Sequence, residues 1–325
     1  MKLLLAPMAT LTHQPLRLTI NQFGGCDEYF TEMIQAGTVL TNSPFEKYYL
    51  LTAPHPEKLV WQITGNKTDS MAKAAELLCG IGGLGLDINM GCSAPDIVKT
   101  GAGIAWMLKP ICETEYMLKQ VKKTIDSNNF QQRFSVKIRL GDENFSETNF
   151  FSFIDMLAYQ GIQQITLHPR TRKEKYRQKP KLEYVHKLCE YIETKNYQID
   201  VILNGGIEDK LSLENAKKIA PKATGFMIGR AAIQKPWIFS ILKNIQPEKI
   251  DILQTALDFI SYLEQYQPPE FYKTRLQRFF TYYSDNVKFS NHLRTQLLNN
   301  ATPDGCREEL KKYFSQCSNE QYLFF

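Results

Sequence analysis

The chain has 325 residues, 43% of them hydrophobic, and its 39 basic and 34 acidic residues give a formal net charge of +5. This length is enough for one large core with a smaller unit beside it, and so small a charge excess permits a polyanionic partner without requiring one. No run is apolar and long enough to span a membrane, and polar residues follow "MKLLLAPM" too soon for a signal peptide. The seven cysteines include no CxxC pair, so we expect no disulfide framework, no metal site and a reducing, cytoplasmic compartment.

Eight short, apolar, β-prone runs recur along the chain, and segments with apolar residues at helical spacing separate several of them. The runs cover residues 2–8, 26–33, 58–64, 84–90, 134–140, 163–169, 199–205 and 224–230. This alternation predicts an α/β fold, a (β/α)8 TIM barrel, which typically takes about 250 residues. A doubly wound parallel sheet is the alternative, but the first run ends in "APMAT" and lacks the glycine-rich turn of that fold.

The pattern changes after about residue 240, where "DILQTALDFISYLEQY" and the aromatic-rich "PPEFYKTRLQRFFTYYSDNVKFSNHLRTQLLNN" both have helical periods. No β-prone run interrupts them. We therefore predict a barrel domain over residues 1–240 and a small all-helical domain over residues 241–325.

The unusual residues of the barrel region collect where the predicted strands end, and this is where TIM barrels carry their active sites. They are Met8, Glu32, Met33, Gln62, Asn89, Cys92, Lys137, Arg139, His168, Asn204, Gly205, Gly206, Gly229 and Arg230. This distribution predicts a site to which every strand contributes.

The last two strand ends predict a phosphorylated ligand. "NGGI" and "MIGRAA" are glycine-bearing loops that each lead toward a helix, and backbone N–H groups in such loops bind phosphate. Glycines that merely permit tight turns are the alternative, but two such loops with Arg230 beside the second favour the ligand. Lys137 points inward by strand alternation, so it needs an anionic or electron-rich neighbour, and a flavin ring meets that need.

The segment after the sixth strand, "HPRTRKEKYR", is strongly basic. Arg170, Arg172, Lys173, Lys175 and Arg177 either form a solvated surface or bind phosphates near the site. His168 before them is either a structural histidine or a ligand contact.

With these motifs in hand, the chain resembles the tRNA-dihydrouridine synthase family. "APMAT", "TEM", "DINMGC", "KTGAG", "VKIRLG", "NGGI" and "MIGRAA" follow one another in the order and spacing of that family, from about Leu5 to Trp237. The resemblance implies an FMN enzyme that uses NADPH to reduce particular uridines of tRNA to 5,6-dihydrouridine. One position departs from the family pattern, since Ser93 stands where a proline usually follows the cysteine.

Carried onto this chain, the resemblance implies FMN contacts at Pro7, Met8, Ala9, Gln62, Lys137, His168, Asn204, Gly205, Gly206, Gly229 and Arg230. It implies that Asn89 faces the target base and that Cys92 gives a proton to the uracil. For tRNA we expect contacts from Arg139, Arg170 and Arg172 in the barrel and from Lys273, Arg275 and Arg278 in the tail.

Cys92 fits the role of a general acid. Glycines keep its loop thin enough for a nucleobase to approach, and a thiol with a pKa near 8.5 is mostly protonated at neutral pH. A buried structural cysteine is the alternative, which we assign to Cys26, Cys79, Cys112 and Cys189.

Two other functions remain open from sequence: an FMN enzyme that acts on a free pyrimidine, and an RNA-binding relative that has lost its flavin. The former does not explain the basic run or the helical tail, and the latter does not explain Gln62, Lys137 and Arg230 together. We expect a monomer. The sequence does not indicate which uridine is reduced or whether NADPH is preferred over NADH.

Overall fold

The eight apolar runs form eight parallel strands that close into a barrel in the computed structural model, which describes residues 1–174, 178–245 and 247–325. Each strand pairs with the next, and the first also pairs with the eighth. The predicted TIM barrel is confirmed. The strands are β1 (Lys2–Leu5), β2 (Glu28–Gln35), β3 (Leu59–Thr64), β4 (Gly85–Met90), β5 (Arg133–Ile138), β6 (Gln164–Leu167), β7 (Asp200–Asn204) and β8 (Gly225–Ile228).

The barrel interior is divided into an apolar side and a polar side. Leu4, Phe30, Val60, Ile202 and Met227 pack together inside β1, β2, β3, β7 and β8. Strand alternation turns a second, polar set into the same interior on β3 to β6. Its buried members include Gln62, Asp87, Ser135, Gln164 and Thr166. The polar side of the interior therefore lies along β3 to β6.

Helices surround the barrel and bury their apolar faces against the outer side chains of the strands. In the third helix, for example, Met71, Ala74, Ala75 and Leu78 recur at helical spacing and are buried. The helices of this region are α1 (Gln14–Asn21), α2 (Ala36–Val39), α3 (Thr68–Ile81), α4 (Pro95–Lys99), α5 (Ala105–Leu108), α6 (Ile111–Ser127), α7 (Glu147–Tyr159), α8 (Glu183–Thr194), α9 (Lys210–Ile219), α10 (Arg230–Gln234) and α11 (Ile238–Leu242).

The C-terminal region is helical, as predicted, but it also contains a short antiparallel strand pair. Its elements are β9 (Lys249–Asp251), α12 (Ile252–Tyr266), α13 (Pro269–Tyr283), α14 (Ser290–Asn299), α15 (Pro303–Gln316) and β10 (Tyr322–Phe324). "All-helical" was therefore incomplete, because strands of three residues with partners about 70 positions apart leave no periodic signal.

The tail packs directly on the barrel. Helix α12 lies against α1, and α13 lies against α10. Phe259 of α12 stacks on Phe279 of α13 with ring centroids 3.7 Å apart, and both belong to the same continuous apolar cluster as the outer barrel residues. Within the part of the chain that the structure describes, no helix has the length and apolar character needed to cross a membrane.

Candidate active site

The loops after β7 and β8 leave backbone exposed at the mouth of the barrel. Gly205 and Gly206 have φ angles of +111° and +78°, which side chains disfavour, and Gly206 is exposed. A Cβ on Gly205 would approach His168 Cδ2 to 3.0 Å. After β8, α10 begins at the exposed Arg230 directly behind Gly229. The two loops provide backbone N–H groups and a guanidinium on one side of the mouth.

Cationic side chains surround the same mouth. Half-buried Lys137 donates a hydrogen bond of 2.7 Å to Asn204 Oδ1, and Asn204 Nδ2 donates to Met227 O at 2.9 Å. Burial, followed by the charge of Arg139, lowers the pKa of Lys137 to about 8, while Asp87 and Cys92 oppose the shift. An anionic group bound beside Lys137 would raise its pKa back toward the ordinary value.

His168 is held neutral beside these cations. Burial lowers its pKa far below the ordinary value, and Lys137, Arg139, Arg170 and Arg230 lower it further. Its Nε2 lies 2.6 Å from Arg170 Nη1. Because a guanidinium can only donate, Nε2 is the acceptor and the ring proton lies on Nδ1. Four cations around one neutral imidazole give this end of the barrel a positive potential.

The Cys92 loop is held from both sides by specific contacts. Asn89 Oδ1 accepts the backbone N–H groups of Cys92 at 2.9 Å and of Gly91 at 3.2 Å. The Cys92 carbonyl accepts from Ile104 N at 3.0 Å. Gly103 has φ +62°, and a Cβ there would come within 2.6 Å of Cys92 O. The half-buried thiol therefore lies on a short loop of fixed path.

Arg139 connects this loop to its neighbour. Its Nε donates to Gly91 O at 2.9 Å and its Nη1 donates to Thr171 O at 3.1 Å, and the residue is 7% exposed. Beneath the loop, Asn89 Nδ2 donates to Gln62 Oε1 at 2.9 Å, and Gln62 Nε2 donates to Asp87 Oδ2 at 2.8 Å. Asn89 thus supports the cysteine loop through its hydrogen bonds, a role that the sequence prediction did not include.

Comparisons with known proteins show the family to which this chain belongs. The family model described as dihydrouridine synthase (Dus) matches residues 4–322. The chain belongs to the dihydrouridine synthase family. A curated tRNA-dihydrouridine synthase B of Pseudomonas syringae pv. tomato is 32% identical over 244 residues, which are 74% of this chain and 68% of that protein. A probable tRNA-dihydrouridine synthase of Aquifex aeolicus is 27% identical over 322 residues, 96% of this chain and 94% of the relative.

Solved structures show the same fold. An old yellow enzyme homologue from Zymomonas mobilis aligns with a TM-score of 0.53 at 13% identity, covering 83% of this chain and 94% of that chain. A mutant morphinone reductase in complex with tetrahydroNAD aligns with a TM-score of 0.51 at 9% identity, covering 75% and 87%. At these low sequence identities, the similarity shows only that the three proteins share the TIM-barrel fold.

The loop after β1 is held by a residue of β2. Pro7 and Met8 are half-buried and Ala9 is exposed at the mouth. Thr10 follows them with φ +63°, and its N–H donates to Glu32 Oε1 at 2.6 Å. Glu32 is buried, so this contact holds the loop in a conformation that a threonine rarely adopts.

Arg275 is the partner of Glu32, which corrects its predicted role. Its Nη1 donates to Glu32 Oε2 at 2.9 Å, its guanidinium lies 4.7 Å from the centroid of the Phe271 ring, and the residue is 2% exposed. A side chain this buried cannot bind a tRNA phosphate at the surface. It joins the tail to the barrel instead, whereas Lys273 and Arg278 on the same helix are exposed.

The basic segment after β6 is also different from the prediction. Arg170 is 3% exposed and donates through Nε and Nη2 to the Gln178 carbonyl at 2.9 and 2.6 Å, so it is not part of an exposed basic surface. Arg172 Nη1 lies 3.6 Å from Asp142 Oδ2, and Lys173 forms an ion pair with Glu143, so both side chains have acidic partners. The predicted contacts at 175 and 177 lie outside the described residues.

Proposed function

We propose that this protein is a tRNA-dihydrouridine synthase that binds FMN, uses NADPH and gives the uracil its proton from Cys92. The observation that carries the proposal is a half-buried cysteine on a fixed loop, three residues after Asn89, which pairs with Lys137 in the sheet, at a mouth lined by cations and glycine loops. The family membership and the names of the relatives support the same reaction.

The residues of the mouth fit FMN. Gly205, Gly206 and Gly229 leave room for backbone approach, and Arg230 is exposed where a phosphate would meet them. Lys137 is a cation inside the barrel whose lowered pKa leaves it in need of an anionic neighbour, and the ring of a reduced flavin is one. FMN, when bound and reduced by NADPH, supplies the hydride for C6 of the uracil.

The chain supplies the proton. We assign the Cys92 thiol to proton transfer to C5, with the loop held in place through Asn89 and Gly103 so that the sulfur stays above the ring. Cationic Lys137 and Arg139 would stabilise the negative charge of cofactor and substrate, with neutral His168 beside them. The remaining candidates for contacts with tRNA phosphates are the exposed residues Arg172, Lys273 and Arg278.

The proposal is tested with purified protein and tRNA from a strain that lacks the gene. Purified protein should be yellow, and adding NADPH should form dihydrouridine in that tRNA but not in free uridine. Conversion of free uridine at a similar rate would instead identify a free-pyrimidine enzyme, and colourless protein that binds tRNA would identify an RNA-binding relative.

Cys92→Ala tests the assignment of the acid. We expect unchanged FMN content and NADPH oxidation, with dihydrouridine formation lower by roughly 10²- to 10³-fold, the contribution of a general acid. Cys112→Ala is the control, because Cys112 is exposed on α6, contrary to the sequence prediction of a buried cysteine. Product formation by the Cys92 variant at the rate of the control would require a different proton donor.

A further inference from the structure

Asp87 is a buried carboxylate that the proposed reaction does not use directly. It lies on β4, two residues before Asn89, and is fully buried inside the barrel. Its Oδ1 accepts from Ser135 Oγ at 2.7 Å, and its Oδ2 accepts from Gln62 Nε2 at 2.8 Å. Burying a carboxylate is unfavourable, so its retention in this position calls for an explanation.

A chain of hydrogen bonds connects the cysteine loop to Asp87, and every donor in it points toward Asp87. The N–H groups of Cys92 and Gly91 donate to Asn89 Oδ1, Asn89 Nδ2 donates to Gln62 Oε1, and Gln62 Nε2 donates to Asp87. Backbone N–H groups can only donate, and an ionised carboxylate can only accept. Both ends therefore impose the same orientation on the two amides between them. Turning either amide over would place donor against donor and acceptor against acceptor.

We propose that Asp87 is a positioning residue for Cys92, acting through Gln62 and Asn89 to hold the backbone of the cysteine loop. The expected effect of Asp87 on catalysis rests on the proposed function, whereas its effect on the conformation of the cysteine loop does not. Within the described residues, the side-chain hydrogen bonds of Asp87 go to Ser135 and Gln62 and not to Cys92.

The electrostatics of Asp87 separate this role from simple packing. Burial raises its pKa to about 6, against hydrogen bonds from Ser135 and Gln62 and the charges of Lys137 and Arg133. A carboxyl with a raised pKa makes the folded state less stable at neutral pH than a neutral group would. Replacing Asp87 by its neutral amide should therefore not lower stability, and activity should fall only in a variant that also loses the acceptor.

Three variants test the proposal. Asp87→Leu removes the acceptor at similar size. Asp87→Asn keeps it, because Oδ1 can accept from Gln62 while Nδ2 donates to Ser135. Thr166→Val is the control, since it removes a buried hydroxyl of the same interior that has no hydrogen-bond partner within the described residues. Amide hydrogen exchange of Gly91 and Cys92 is measured together with kcat and KM for tRNA and the melting temperature at pH 7.5.

We expect Asp87→Leu to speed exchange of the two amides by roughly 10-fold and to lower kcat by roughly 10- to 100-fold with KM for tRNA unchanged. Asp87→Asn should keep exchange and kcat within about 3-fold and should melt at or above the wild-type temperature. Thr166→Val should leave exchange and kcat unchanged.

Wild-type exchange in Asp87→Leu would overturn the proposal. The proposal would also be overturned if kcat fell as far in Asp87→Asn as in Asp87→Leu, because the charge of Asp87, and not its role as an acceptor, would then determine the rate. If Asp87→Leu does not fold, Asp87→Ala takes its place under the same criteria. If the wild type makes no dihydrouridine, the proposed function fails, and the exchange comparison still decides the positioning role.

Discussion

Gly103→Ala should displace the cysteine loop while Cys92 itself is kept. An alanine at φ +62° is strained by roughly 1–2 kcal/mol. Its Cβ would also lie 2.6 Å from Cys92 O, so the carbonyl must move by roughly 0.8 Å to reach ordinary contact. That shift breaks the bond from Ile104 N, which contributes about 1 kcal/mol. The local penalty is therefore about 2–3 kcal/mol.

Gly101→Ala is the matched control. Gly101 has φ +82°, but its nearest contact for a new Cβ is 3.7 Å away on Lys109, so only the backbone strain is shared. Because a displacement near 1 Å in a catalytic group lowers rates by about 10²-fold, we expect that loss of kcat in Gly103→Ala and less than about 3-fold in Gly101→Ala. Dihydrouridine formed per minute on transcribed tRNA and melting temperatures are compared. Equal activity in the two variants would refute the reasoning.

The ligand-free protein should become more stable as pH rises from about 8 to 10.5, by at most about 3 kcal/mol, because Lys137, with its pKa lowered to about 8, binds fewer protons in the folded than in the unfolded state. Urea titrations of Lys137→Met should lack this rise. If the free energy of unfolding of that variant changed with pH as in the wild type, Lys137 would be excluded as the source. Arg275→Met should lower the free energy of unfolding by about 3–5 kcal/mol by leaving Glu32 buried without its cation, and Glu32→Gln in the same chain should recover most of it; a single variant of wild-type stability would contradict the ion pair. Replacing Lys273 and Arg278 by alanine should weaken tRNA binding and reduce its salt slope by about one per lost phosphate contact with FMN content unchanged, whereas an unchanged slope would place the tRNA contacts elsewhere.

The barrel could be predicted from the sequence because each strand is a local signal. All eight runs overlap observed strands, and some bounds differ because apolar residues continue past the paired part, as in the run 2–8, where Ala6, Pro7 and Met8 follow the strand Lys2–Leu5. The clustering of site residues at the mouth follows from the same fold rule. Pairs distant in sequence were not accessible, and Arg275 illustrates this, since its partner Glu32 lies 243 positions away.

Two local signals could nevertheless have been used. Arg275 lies four residues after Phe271 and four before Phe279, so helical spacing places it on the face that packs against the barrel. Asp87 lies two residues before Asn89, and strand alternation puts both inside. Arg275 was judged by its type rather than by the face it occupies, and Asp87 was assigned no role from sequence.

The Arg275–Glu32 pair limits how this enzyme can be recombined. Glu32 accepts from the loop after β1 with one oxygen and from the tail with the other, so the two regions share one carboxylate. A chimera that joins this barrel to the tail of a relative must therefore supply a cation at the position of Arg275, or also replace Glu32. Cutting the chain near residue 240 would remove the cation that pairs with that carboxylate and would expose the apolar surface of α1 that packs against α12.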